Sequence, residues 1–129
     1  MRSIRRHLLC VDDDPDTNEV LARLLQAENY EIRTVESVND ALEIAKRESF
    51  NLYILDHWFN RGSGVELCRK LREFDPHTPI VFYSGTSFDS DRQEAMYAGA
   101  SAFVAKPRID ELINTIHELL SDRVSPENV

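Results

Sequence analysis

The chain reads as an α/β protein, a parallel sheet with helices packed on both faces. Three observations predict this. Five short apolar runs alternate with five stretches whose apolar residues recur at helical spacing. Most of these runs are short and uniformly apolar, which suits strands buried on both sides, whereas Tyr30 to Val35 alternates and carries β-branched residues. No internal repeat or low-complexity linker interrupts the alternation. Connections of this kind are right-handed, and in a parallel sheet all strand ends of one kind share an edge.

The elements follow in order. His7 to Val11 is the first strand, stopped by Asp12, Asp13 and Asp14. Pro15 suits the first turn of a helix and Asp14 its N-cap. Val20, Leu21, Leu24 and Leu25 carry an apolar stripe as far as about Glu28. Tyr30 to Val35 is a second strand. Ser37 with Asp40 resembles a capping box opening a helix that turns Ala41, Leu42, Ile44 and Ala45 inward. Between Phe50 and Gly64 the run Leu52 to Leu55 is a buried strand ending at Asp56, followed by a polar loop that Gly64 closes. Val65, Leu67, Cys68 and Leu71 mark the next helix, broken at Asp75–Pro76. Pro79 to Tyr83 is the fourth strand, ending in Ser84 and Gly85. Ser90 with Gln93 is expected to start a short helix that Gly99 terminates. Ala102 to Ala105 is the fifth strand, ending at Lys106–Pro107. Ile109, Leu112, Ile113, Ile116, Leu119 and Leu120 stripe the last helix. Residues 1–129 are expected to form one domain, with its core over about 7–120 and a fraying tail over about 122–129.

Composition excludes several roles. A net charge of −8, from 15 basic and 23 acidic residues, argues against direct nucleic-acid binding, which needs clustered Lys and Arg. Arg2, Arg5 and Arg6 read as a solvated terminus. No apolar run approaches the ~20 residues that cross a bilayer, and the start lacks a signal peptide's apolar core. Cys10 and Cys68 read as reduced core thiols. The four histidines, His7, His57, His77 and His117, form no pair at metal-ligand spacing. A cytoplasmic, disulfide-free protein is the economical reading.

At the common edge, Asp12, Asp13 and Asp14 end the first strand, Asp56 the third, Ser84 the fourth and Lys106 the fifth. A polar residue at one strand end needs no function to explain it. Four complementary ones together point to a site, where open α/β sheets place their ligands. Carboxylates ~4 Å apart repel by roughly 4 kcal/mol at an effective dielectric near 20, so the cluster calls for a cation. Mg²⁺ suits it, because that ion takes one or two protein carboxylates, waters and phosphate oxygens. The chemistry that follows is phosphoryl acceptance: Asp56 the nucleophile, Lys106 a second positive charge, and the Ser84 hydroxyl a hydrogen-bond donor to the phosphoryl group. An EF-hand begun at Asp12 fails, with Thr17 where glycine is needed and Arg23 where glutamate is needed. A flavin or dinucleotide site fails too, since three aspartates would repel a bare phosphate.

VDDDP at Val11 to Pro15, LD before a loop closing at Gly64, a hydroxyl after PIVFY, and AKP at Ala105 to Pro107 together resemble the receiver domain of bacterial two-component response regulators. The resemblance runs from about His7 to Leu120. It implies a flavodoxin-like, doubly wound five-stranded parallel sheet of order 2-1-3-4-5 with five helices. It also implies an acidic pair, Asp12 and Asp13, that holds Mg²⁺ with Asp56 and the backbone carbonyl of Trp58. Asp56 becomes the phosphoacceptor, Ser84 the switch hydroxyl, Lys106 the lysine, and Phe103 a switch aromatic that turns inward when the hydroxyl engages the phosphoryl group. Simple core packing accounts for Phe103 equally well. Asp14 is assigned to its helix cap.

Four departures carry expectations. Asn60 stands where the family usually has proline, which implies a more mobile loop. Trp58 is bulky and at the mouth of the site, where it should shield an acyl phosphate from water. Gly85 in place of alanine loosens the switch loop. Phe103 lacks a hydroxyl, so turning inward gives up no hydrogen bond to water.

By resemblance, the donor is a sensor histidine kinase or a histidine phosphotransfer protein. The readout surface lies near the fourth helix, fifth strand and last helix, including Arg92, Tyr97 and Phe103, and admits a homodimer. The downstream protein or attached output domain is not legible. The protein is then a signalling switch rather than a metabolic enzyme. Two alternatives stand beside this reading: a docking module of the same fold that works without phosphorylation, and an aspartate-nucleophile phosphatase.

Overall fold

The computed structural model describes residues 5–121 except Ser87; Arg2 and the tail expected to fray lie outside that range. The elements alternate as expected: β1 (His7–Val11), α1 (Pro15–Ala27), β2 (Glu31–Val35), α2 (Val38–Arg47), β3 (Leu52–Leu55), α3 (Gly64–Phe74), β4 (Ile80–Ser84), α4 (Asp89–Ala98), β5 (Ala102–Ala105) and α5 (Ile109–Leu120). All pairings are parallel, in the order β2-β1-β3-β4-β5. No helix among the described residues is long and apolar enough to cross a membrane.

Alternate strand residues divide the core in two, as the period-2 pleat requires. Leu9, Val11, Tyr53, Leu55, Ile80, Phe82 and Phe103 face α2, α3 and Ala95 of α4. Leu8, Cys10, Leu52, Ile54, Val81, Tyr83 and Val104 face α1 and α5, against Leu21, Leu25, Leu112 and Ile116. The central strands β3 and β4 are buried throughout, whereas edge strand β2 carries exposed Glu31, Arg33 and Thr34, charges that discourage pairing with another sheet. Both cysteines are buried and unpaired. Burial and neighbouring Asp12 push the Cys10 thiol up to about 12, which keeps it unreactive.

Three local expectations change. Val20 and Leu24 are exposed rather than part of the inner stripe, leaving Leu21 and Leu25 with buried Asn18 as the inner face of α1. Ser90 does not open α4: the helix starts one residue earlier with Phe88 at its cap, which makes no side-chain cap bond. The preceding loop is tied instead through Thr86, whose hydroxyl donates to Asp91 in the first turn. Gly64 is the first residue of α3 rather than only the end of a loop, because Ser63 caps the helix by accepting from the Glu66 amide. The other caps follow the sequence: Asp14 on α1, Ser37 on α2, and Gly99 in the left-handed region (φ 118°) after α4.

Candidate functional site

Register builds the site. Val11 lies opposite Leu55, so Asp12 and Asp56 leave neighbouring strands at one level, and the Asp56 amide donates to the Val11 carbonyl at 3.1 Å. Ser84 lies opposite Ala105, and the Lys106 amide donates to the Ser84 carbonyl at 2.8 Å. The Lys106–Pro107 peptide bond is cis. From there the Lys106 ammonium donates to Asp12 Oδ2 at 2.8 Å and stands 3.7 Å from Asp56 Oδ2.

Asp56 is mostly buried, with 13% of its side chain exposed. Burial first, and then the charge of Asp12, raise its pKa above the usual carboxylate value. Lys106, the His57 amide at 2.9 Å and the Ser84 hydroxyl act against that rise. Burial alone would depress the Lys106 ammonium, but its bond to Asp12 and the charges of Asp56 and Asp12 outweigh it and raise the pKa. The pair therefore holds a basic carboxylate beside a firmly protonated amine.

The carboxylate oxygens of Asp12, Asp13 and Asp56 lie within 4.8 Å of one another. An all-oxygen, anionic donor set of this size fits a hard divalent cation such as Mg²⁺. Asp13 also accepts from the Asn60 amide at 2.6 Å. Proline at that position would have no N–H to offer, so asparagine ties the loop after Asp56 down at this point, where a looser loop was expected. The loop is further set by a Trp58–Ser63 bridge and by a bond from the Gly64 amide to the His57 carbonyl at 2.7 Å.

The remaining expected residues are placed as follows. Ser84 is buried at the end of β4, and its hydroxyl also accepts from the Thr86 amide at 3.4 Å. Phe103 is buried, stacked on Phe82 at 6.0 Å, and covered by the Arg92 guanidinium 5.2 Å from its ring centroid. It thus occupies the packed position. Trp58 is exposed, its ring 4.6 Å from that of His57, and Tyr97 stands almost fully in solvent. Asp14 turns away to its helix, accepting from the Asp16 amide and the Thr17 hydroxyl.

Two buried polar residues escaped the sequence reading. Asn18 donates to the Asp12 carbonyl at 2.8 Å and the Val35 carbonyl at 3.3 Å, pinning the acidic turn to the start of α1. Its place within an apolar stripe was the available signal. Asn18→Ala leaves those carbonyls without that donor and is expected to cost about 1–3 kcal/mol, read as a lower urea midpoint at unchanged slope. His57, directly after Asp56, is fully buried, and the carboxylates nearest its Nε2, on Asp91 and Glu94, lie far along the chain.

Comparison with known proteins places this geometry. Residues 8–117 match the family model described as the response regulator receiver domain. The chain is 32% identical over 115 residues to the response regulator protein PilR of Pseudomonas aeruginosa, covering 86% of this chain and 26% of that one. It is 32% identical over 122 residues to the response regulator MprA of Mycobacterium leprae, covering 94% and 53%. It therefore spans between about a quarter and about half the length of these two relatives. Among solved structures, response regulator protein TrrA of Thermotoga maritima, in complex with Mg²⁺–BeF, superposes with a TM-score of 0.82 at 31% identity, covering 89% of this chain and 99% of that one. With the matched family model spanning all five strands and the acidic, hydroxyl and lysine positions gathered at one sheet edge, the chain belongs to the receiver domains of two-component response regulators.

Proposed function

We propose that this receiver works as a phosphorylation switch with Asp56 as the acceptor. One observation carries the reading: a partly buried carboxylate shares its pocket with Asp12, Asp13 and the Lys106 ammonium. In the proposed step an Asp56 oxygen attacks the phosphorus of a phosphohistidine on a sensor kinase or phosphotransfer protein. The P–N bond breaks as the P–O bond forms, and the departing imidazole takes up a proton. Asp12, Asp13, Asp56 and the Trp58 carbonyl would hold Mg²⁺, which supplies charge neutralisation of the phosphoryl oxygens. Lys106 balances the added charge from the other side, and Ser84 donates a hydrogen bond to the phosphoryl group.

The response follows from what surrounds Ser84. Drawing its hydroxyl toward the phosphoryl group pulls on the Gly85–Thr86 turn, and Thr86 is bonded to Asp91 in α4. A shift there acts on Arg92 and the ring of Phe103 beneath it. The α4–β5–α5 surface is thus the proposed readout, with turnover serving signalling rather than metabolism.

The test is incubation of the protein with Mg²⁺ and a small phosphodonor, followed by mass location of the acyl phosphate. A stable adduct on Asp56 supports the switch. Absence of an adduct supports phosphorylation-independent docking, and rapid turnover through Asp12 supports a phosphatase. Independently of any donor, Mg²⁺ is expected to raise the melting temperature. At a hundredfold excess over its Kd the stabilisation is about 2.7 kcal/mol, and Asp13→Asn should remove most of it.

A further inference from the structure

A second cluster of ligand-type side chains lies on the other side of the acceptor residue. The His57 imidazole is fully buried against Trp58 and Phe82, at ring separations of 4.6 and 5.9 Å. Neither ring nitrogen has a hydrogen-bond partner among the described residues. Its Nε2 points instead at two carboxylates of α4, 3.9 Å from Asp91 Oδ1 and 3.7 Å from Glu94 Oε1. These separations exceed a hydrogen bond. They are close to the separation of two ligands sharing one ion at ~2.0–2.2 Å in tetrahedral geometry, which is roughly 3.4 Å.

We propose that His57, Asp91 and Glu94 form a binding site for a borderline divalent metal ion of the Zn²⁺ class, distinct from the Asp12, Asp13 and Asp56 pocket. Three features fit. Asp91 and Glu94 are three residues apart, so one face of α4 presents both. The second oxygen of Asp91 is already engaged by the Thr86 hydroxyl, the outer bond that orients a metal-binding carboxylate and leaves Oδ1 free. Glu94 is half exposed whereas His57 is sealed, giving an entry path from solvent to a buried nitrogen. An imidazole with two carboxylates favours Zn²⁺-type ions, whereas the all-oxygen pocket suits Mg²⁺, so with Mg²⁺ in excess the two sites should fill with different ions.

The ion would fasten the first turns of α4 to the residue following the acceptor. Metal binding itself does not rest on Asp56 accepting a phosphoryl group. Its effect on the α4 surface deepens the proposed switch, because that surface would then answer to a metal as well.

The test is calorimetric titration of the full chain with Zn²⁺ in excess Mg²⁺. One tight site is expected. Glu94→Gln, a change at an exposed position, should weaken it about 10-fold or more, and His57→Gln should abolish it. Co²⁺ should give the intense visible absorption of a low-coordinate N/O site in the parent and lose it in Glu94→Gln. Should His57→Gln not fold, Glu94→Gln and Asp91→Asn decide. No stoichiometric Zn²⁺ binding, or binding of equal strength in the Glu94 and Asp91 variants, would overturn the site and assign any residual binding to His7, His77 or His117. Either result leaves the acyl-phosphate experiment untouched, so the two readings fail separately.

Discussion

Gly64→Ala is expected to remove a large part of the protein's stability. A Cβ on Gly64 would sit 2.0 Å from the Asp56 carbonyl oxygen and 2.8 Å from Cε2 of Phe82. The first obstacle is backbone of Asp56 itself, and the Gly64 amide is drawn in by its bond to the His57 carbonyl. No flexible side chain can yield there, so α3 or β3 must move. A cost of about 4 kcal/mol or more is the class of severe single lesions, against a total stability of order 5–15 kcal/mol. Urea unfolding monitored by circular dichroism measures it. Gly85→Ala is the matched control: its Cβ would meet nothing within 4 Å. Its backbone φ is not positive. It should be neutral or stabilise by ~0.4–1 kcal/mol through the unfolded chain. The turn after Ser84 therefore accepts alanine, and the loop closed by Gly64 does not.

Asp56→Asn is expected to lose the acyl phosphate completely while making the fold more stable. The raised Asp56 pKa means the folded state holds this proton more tightly than the unfolded chain does. Between the unfolded value of about 3.9 and the higher folded one, stability falls as pH rises, and above the folded value the penalty is present in full. Asparagine removes it and leaves Lys106 bonded to Asp12. At neutral pH and without divalent ions the melting temperature should rise, by ~4 °C for each ~1 kcal/mol of repulsion relieved. It should shrink as pH drops toward the unfolded carboxylate value. A variant no more stable than the parent would show that Lys106 already offsets the crowding of negative charge. Mg²⁺ should narrow the difference, since it relieves the parent of the same repulsion.

These two results bear on what a sequence discloses. The strands were legible because β3 and β4 are buried on both faces and hold nothing but apolar residues before their polar ends. The pocket was legible because parallel strands deliver those ends to one place. What stayed hidden depends on contacts across long sequence separations. His57 looked like an isolated histidine because Asp91 and Glu94 lie on α4, beyond β4. Asn60 looked like a loosening substitution, because its value lies in a backbone amide that reaches Asp13 and not in its side chain. Ser90 looked like a cap because spacing alone cannot show that Thr86 already fastens the approach to α4. Val20 and Leu24 matched a helical stripe, yet α1 needs only Leu21 and Leu25 to cover its side of the sheet.

The chain has a single tryptophan, and it is Trp58, two residues past Asp56 and packed against the His57 ring. All indole emission from the protein thus originates in the loop after Asp56. Occupancy of either proposed neighbouring site should then register as quenching or a spectral shift in unlabelled material, with no reporter group to disturb the charges being studied.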